Sequence, residues 1–251
     1  MKKLFRYLMS VIFYLCFGFF LVLFHGIQWI CFYAIGYQAQ KNAVEILNLF
    51  LLRFLNILGT RIQFDHSHSL PTNRSIIFVA NHQSTYEVPP LIWYLRKHHP
   101  KFISKKELGK GIPSVSFNLR HGGALLIDRK NPKKSIQAIQ DFGKRLTEKK
   151  HSAIIFPEGT RSRDGKIKPF QKAGLSTLIE NMPDALVVPI SIGNSWRFAE
   201  HNYFPMPLAV HLKLKVHPAL EIIPGEHENL LQKTETTIGE GVEILQQKNK
   251  F

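Results

Sequence analysis

Three observations predict an α/β protein, built as a mixed sheet flanked by helices and preceded by an N-terminal membrane-embedded helical pair. Between Arg6 and Lys41 no residue carries a formal charge except His25 when protonated. After Thr60, short apolar runs of strand character alternate with helical patterns, which is the arrangement of an α/β sandwich. Polar clusters then follow directly on those runs, at the strand ends where such sheets place their sites.

The 251 residues suffice for one sizeable core beside the apolar start. The expected division is therefore 1–60 for membrane-associated helices and 61–251 for a single α/β domain. A formal net charge of +15 favours a polyanionic partner: nucleic acid, an anionic lipid surface or a phosphorylated substrate. The two cysteines, Cys16 and Cys31, both fall in the apolar start, so there is no disulfide framework and no metal-ligand spacing. A reducing, cytoplasmic setting fits.

The first element is the apolar run itself, which exceeds the roughly 20 residues that a spanning helix needs. A signal peptide would share the basic start at Lys2, Lys3 and Arg6, but its apolar core is about 7 to 15 residues long and precedes a small-residue cleavage site. A second apolar run, 43–58, is interrupted by Glu45 and Arg53. Basic residues flank the two runs on both sides and prefer the cytoplasm. A pair that dips into the membrane and returns is thus favoured over one tilted span followed by a soluble helix, with Trp29, Tyr33 and Tyr37 suited to the headgroup layer. On this reading the residues before about Thr60 do no chemistry, and deleting them releases a soluble or loosely attached domain.

Residues 75–80 read as a short buried strand, followed by a polar turn and a helix around 91–98 with Pro89 and Pro90 near its first turn. Residues 124–128 read as another strand. The next helix is expected to start at Asn131, a good N-cap, with Pro132 at its first position and Ile136, Ile139, Phe142 and Leu146 at helical spacing. Residues 152–156 and 185–190 look like further buried strands. Across 209–217, Val210, Leu212, Leu214 and Val216 alternate with polar neighbours, as in a half-buried strand.

Three polar clusters carry chemistry. Asn81-His82-Gln83-Ser84-Thr85-Tyr86-Glu87 sets a histidine and a carboxylate five positions apart, able to meet across a turn. The carboxylate would fix the imidazole tautomer and support the charge it gains as a base, the equipment for deprotonating a hydroxyl. Taken alone, the pair reads more readily as a surface histidine near a capping acid. Phe156-Pro157-Glu158-Gly159-Thr160-Arg161-Ser162 combines a glycine for close backbone approach, hydroxyl donors and an arginine that forks onto phosphate oxygens, a set that would hold an anionic headgroup. Its plainer reading is a tight turn with solvated charges. The third cluster, Lys105-Lys106-Glu107-Leu108 running to Ile127-Asp128-Arg129, reads by itself as a solvated basic face.

In this order the clusters resemble the glycerolipid acyltransferase family, most closely its bacterial 1-acylglycerol-3-phosphate (lysophosphatidic acid) acyltransferases. The family's Asn-His-x-x-x-x-Asp corresponds to Asn81 through Glu87. Its second motif matches Lys105 to Leu108, Pro113, Gly123 and Ile127 to Arg129; its third is present unchanged from Phe156 to Ser162; and its Val-Pro-Ile strand matches Val188 to Ile190. Two departures stand out: Glu87 where aspartate is usual, and an extra residue before Pro113 with Ser116 in place of a glycine.

The resemblance implies His82 as general base on the acceptor hydroxyl and Glu87 as its orienting acid. It implies Arg161, Lys105 and Arg129 around the acceptor phosphate, and Glu158, Gly159 and Thr160 lining the glycerol site. No covalent intermediate, metal or bound cofactor is expected; the donor is acyl-CoA or acyl carrier protein. The other implied partners are anionic membrane lipid and a lysophospholipid acceptor, with no nucleic acid, at the cytoplasmic face of the inner membrane. Two rivals are an acyltransferase acting on another lysolipid and a non-catalytic membrane-surface protein decayed at Glu87. A tethered nucleic-acid binder lacks a recognisable motif, and a decayed enzyme would not be expected to keep the third motif whole.

Overall fold

The computed structural model describes residues 2–247, without the side chain of Lys2, so the last four residues of the expected 61–251 region lie outside it. Its first helix, α1 (Lys2–Ile30), runs through a π-helical turn (Cys31–Ile35) and reverses at Gly36 into α2 (Tyr37–Phe54). Gly36 takes φ 119° and ψ −179°, a conformation that residues with a Cβ avoid, so the reversal depends on glycine. The helices pack back on each other through Phe20 against Phe54, ring centroids 4.8 Å apart, and through a small core of Phe24, Leu47 and Leu51.

The two helices of this pair are not alike. Residues Lys3–Ile35 form a helix long and apolar enough to cross a membrane, and its outward face exposes Leu4, Leu8, Leu15, Phe19, Val22 and Trp29. By contrast α2 packs against α1 on one side and α3 on another. It buries Gln40, Asn48 and a row of aliphatic side chains and carries the Lys41–Glu45 ion pair.

The sheet contains β1 (Arg61–Asp65), β2 (Ile76–Ala80), β3 (Pro100–Lys105), β4 (Leu125–Ile127), β5 (Ser152–Ile155), β6 (Leu186–Gly193), β7 (His211–Val216) and β8 (Leu220–Glu221). Their order is β1-β7-β6-β2-β5-β3-β4, with β8 also pairing with β6. Strands β6, β2, β5, β3 and β4 run parallel; β7 and β8 run antiparallel to β6, and β1 lies parallel to β7. The helices that follow are α3 (Val88–Tyr94), α4 (Val115–His121), α5 (Pro132–Glu148), α6 (Lys172–Asn181) and α7 (His227–Gln247).

Alternation along the central strands divides the core in two. Ile76, Phe78, Val188 and Ile190 face one side with Leu91 of α3, whereas Ile77, Val79, Ala153 and Val187 face the other with Ile139 and Phe142 of α5, Leu178 of α6 and Ile238 of α7. Continuous apolar runs such as β2 and β6 are the signature of strands buried on both faces.

The expected strands at 75–80, 124–128, 152–156 and 185–190 and the helix capped by Asn131 are present, and the Asn131 side chain accepts from Lys134 N at 3.2 Å. Strands β1, β3 and β8 and helices α4, α6 and α7 were not anticipated from sequence. Strand β7 differs from the half-buried expectation: Lys213 is buried as well, because α7 covers that side and Leu245 O accepts from Lys213 Nζ at 3.0 Å.

The boundary at residue 60 does not separate two cores. Phe13 of α1 and Leu55 and Leu58 after α2 are all buried in the cluster built on Phe78 and Val188, so the N-terminal helices supply one wall of the α/β core. Truncation at residue 60 would therefore remove part of this core along with the helices. A chain lacking residues 1–59 should show no cooperative unfolding transition, and Leu58→Ala alone should lower stability by about 2–5 kcal/mol, measured by denaturant titration in detergent. A soluble truncation that unfolds cooperatively would mean that these contacts are dispensable.

Candidate active site

Strands β2 and β5 are parallel neighbours, with Val79 beside Ile155, so the two clusters that follow them leave the sheet side by side at its carboxyl edge. From the β2 loop, the His82 Nδ1 lies 2.6 Å from Glu87 Oε1. The Glu87 side chain has no solvent exposure, and a buried carboxylate is costly unless its oxygens are satisfied. Here the backbone satisfies them: Gln83 N donates at 3.0 Å to Oε1, and Ser84 N at 2.9 Å to Oε2. The turn into α3 thus wraps around the carboxylate, which takes up the extra methylene of glutamate.

His82 is held from three further directions. Its ring stacks on Phe156 at 4.3 Å, its carbonyl accepts from Ser162 N at 2.8 Å, and its N–H donates to Glu158 Oε1 at 2.6 Å. With Nδ1 committed to Glu87, Nε2 is left as the proton acceptor. The side chain is 17% exposed, open enough to meet a substrate.

Glu158 is turned inward, with both carboxylate oxygens accepting from backbone N–H groups. It is 3% exposed, and its second oxygen accepts from Lys168 N at 2.9 Å. Burial pushes its carboxyl above the usual range, opposed by the His82 and Lys168 N–H groups. Its position ties the β5 loop to the β2 loop. Gly159 follows at φ 69°, where a Cβ would come 3.1 Å from the Gln171 amide, and its carbonyl accepts from Arg129 Nη1. Thr160 is exposed and accepts from Lys168 Nζ at 3.1 Å. Arg161 is half-buried, with Nη1 donating to Tyr203 Oη at 3.1 Å.

The structure therefore gathers His82, Glu87, Glu158, Gly159, Thr160, Arg161 and Arg129 into one network. Lys105 stands apart: it is exposed at the carboxyl end of β3, beside Ile127 in register, and among the described residues no hydrogen bond joins it to the others. Lys168 and Tyr203 were missed by sequence reasoning. Lys168 lies in an irregular basic stretch and Tyr203 in an irregular segment after β6, so neither had a periodic or motif signal. A separate, largely apolar cavity, with Gln40, Glu45, Lys101 and Asn118 among its lining, opens at the amino end of β3, the opposite edge of the sheet. Burial holds its Lys101 down to about 8. Among the described residues no group of three or more His, Cys, Asp or Glu is placed to hold a metal ion.

The profile of one protein family, described as Acyltransferase, matches residues 61–193, from β1 to the end of β6 and across both loops. The chain belongs to the acyltransferase family. A 1-acyl-sn-glycerol-3-phosphate acyltransferase of Limnanthes douglasii is 29% identical over 140 residues, 55% of this chain and 49% of the relative. The alpha form from Ovis aries is 26% identical over 147 residues, 59% of this chain and 50% of the relative. The chain spans about half the length of these curated relatives. The crystal structure of the 1-acyl-sn-glycerophosphate (LPA) acyltransferase PlsC from Thermotoga maritima superposes with a TM-score of 0.80 over 100% of this chain and 99% of that one, at 24% identity. That likeness establishes the shared fold.

Ser116, where the resemblance led us to expect glycine, closes the loop before α4: its hydroxyl donates to Leu108 O at 2.9 Å and accepts from Ile112 N at 3.0 Å. The inward role of Glu158 makes a stability prediction. In Glu158→Gln one acceptor oxygen becomes an amide donor facing a backbone N–H, and a buried unsatisfied donor costs about 1–3 kcal/mol. The unfolding midpoint of Glu158→Gln should fall accordingly; an unchanged midpoint would place Glu158 outside the fold's framework.

Proposed function

We propose that the protein transfers a fatty acyl group from acyl-CoA or acyl carrier protein to the free hydroxyl of 1-acylglycerol-3-phosphate, giving phosphatidic acid for phospholipid synthesis. The observation that carries this reading is the His82–Glu87 pair at 2.6 Å, set one strand away from an arginine suited to phosphate. In the reaction, His82 Nε2 accepts the acceptor's hydroxyl proton as the oxygen bonds to the thioester carbonyl carbon. The carbon–sulfur bond then breaks, and the leaving thiolate takes the proton back from the imidazolium. Glu87 supports that imidazolium and fixes its orientation. Arg161 grips the phosphate with the guanidinium nitrogens that Tyr203 leaves available, Arg129 and Lys105 add positive charge, and Gly159 and Thr160 form the rim near the glycerol.

The membrane is the source of the acceptor. Helix α1 rests on the domain along its length: Arg6 and Tyr14 bond to the 203–206 segment, while Ser114 bonds to Leu21 O at 2.7 Å and to His25 Nδ1 at 3.2 Å. Its opposite face is apolar and exposed. A helix so flanked seats the domain at the bilayer with α1 immersed, rather than suspending it from a perpendicular span. Lys3, Arg6 and the net positive charge favour the cytoplasmic side of the inner membrane and attraction to its anionic lipids.

The test is thiol release by purified protein with acyl-CoA or acylated carrier protein across a panel of lysolipids. Fastest turnover on another lysolipid would replace the acceptor named here, and no turnover on any would favour a non-catalytic surface protein. His82→Ala should abolish transfer and leave membrane association intact. Glu87→Gln should lose most activity, since its amide can present a donor to Nδ1. Glu87→Asp should keep partial function on a backbone fitted to the longer side chain. Wild-type rates in a folded Glu87→Gln would end the dyad reading. Arg161→Ala should lose at least about tenfold in kcat/KM toward lysophosphatidic acid, the effect of losing a charged hydrogen bond; unchanged kinetics would remove Arg161 from the phosphate site.

A further inference from the structure

Arginine is a flexible side chain, and ordering it costs conformational entropy unless a partner holds it. The partner here is Tyr203, whose hydroxyl accepts from Arg161 Nη1 at 3.1 Å. Tyr203 belongs to an unusual stretch of backbone: His201, Asn202 and Tyr203 have φ of 53°, 53° and 69°. Three successive non-glycine residues in the left-handed region are unfavourable and persist only where the surroundings impose them.

The end of that stretch, from Tyr203 to Met206, is held by one stripe of α1. Tyr14 Oη donates to Tyr203 O at 2.6 Å. Arg6 donates from Nε to Met206 O and from Nη2 to Pro205 O, each at 2.9 Å, and Ser10 Oγ accepts from Met206 N at 2.9 Å. Residues 6, 10 and 14 are successive i, i+4 neighbours on a single helix face. The Tyr7 ring meets Phe204 edge-on at 5.5 Å. Tyr14 reaches the other loop too, accepting from Tyr86 Oη at 3.4 Å, one residue before Glu87.

We propose that Tyr203 is a positioning residue that aims the Arg161 guanidinium at the acceptor phosphate, and that α1 sets Tyr203 through Tyr14, so that the helix seated in the membrane also sets the phosphate grip. The proposal rests on the reading of Arg161 given above. Neither tyrosine takes part in the chemistry. Their effect falls on how often Arg161 stands ready when the acceptor arrives, which is a matter of KM.

The experiment measures initial rates against lysophosphatidic acid at saturating acyl donor for the full chain and for Tyr203→Phe, Tyr14→Phe, Arg161→Ala and the double variant Arg161→Ala/Tyr203→Phe. Both phenylalanine variants keep their rings, and unfolding midpoints check that the fold survives. Tyr203→Phe should raise KM by about three- to tenfold, the range of one charge-assisted hydrogen bond partly lost, with kcat near wild type. In the Arg161→Ala background the same substitution should change nothing further, the non-additivity expected of residues that act as one unit. Tyr14→Phe should raise KM in the same direction by less.

An unchanged KM in Tyr203→Phe, with Arg161→Ala clearly impaired, would overturn the positioning role and leave the phosphate reading standing. A Tyr203→Phe effect that persists undiminished in the double variant would mean that Tyr203 acts without Arg161, and a fall in kcat alone would mark a structural role; either overturns the proposal. Wild-type behaviour of Tyr14→Phe would remove α1 from the chain of contacts. If Arg161→Ala itself is unimpaired, both readings fall together.

Discussion

The site depends on the burial of the Glu87 carboxylate. An ionised group with no solvent exposure must find donors within the protein, and Glu87 finds them in Gln83 N, Ser84 N and the His82 ring. That requirement fixes the turn after β2 and, with it, the imidazole. Glu158, nearly as buried, does the same for the β5 loop by accepting from His82 N and Lys168 N. Two buried carboxylates thus lock two adjacent loops, and the candidate base sits where they meet. Because β2 and β5 are parallel neighbours, both loops emerge at one edge of the sheet, where a ligand can reach both.

A second constraint comes from α1. An apolar helix with no partner on the protein would be a detachable anchor, but here Phe13 is fully buried against Tyr86 and the core beneath it. The same helix presents a lipid-suited face outward and a polar and aromatic stripe inward. An exposed apolar face, core packing and the arrangement of the 203–206 segment are therefore borne by one element.

The local features were legible in the chain because their causes are local. A helix starting at Asn131 follows from a side chain that caps the third residue on, and β2 and β6 follow from unbroken apolar runs. The His82 and Glu87 spacing already allowed a contact across one turn, and the intact Phe156 to Ser162 stretch named the partner loop. What sequence gave for Glu158 was membership of that stretch, not direction: whether a carboxylate lines a pocket or ties down a backbone is decided by which amides lie within reach. Lys213 shows the same limit, since its alternating pattern implied solvent until α7, more than ten residues further along, covered it.

By itself, then, the sequence determined the α/β class, the apolar first helix, the positions along the chain of the strands that carry the loops, and the residue types of the candidate base, acid and phosphate grip. The class and the helices depend on periodicity, capping and short-range spacing, which neighbouring residues settle among themselves; the roles of base, acid and phosphate grip are what the resemblance of the ordered motifs implies. Tertiary structure alone decided that α1 and the segment after α2 belong to the core, that Glu158 faces inward, and that Lys168 and Tyr203 stand beside Thr160 and Arg161. The reason is distance along the chain: Tyr14 and Tyr203 are 189 positions apart, and no local pattern records a contact whose partners are brought together only when the sheet has formed between them.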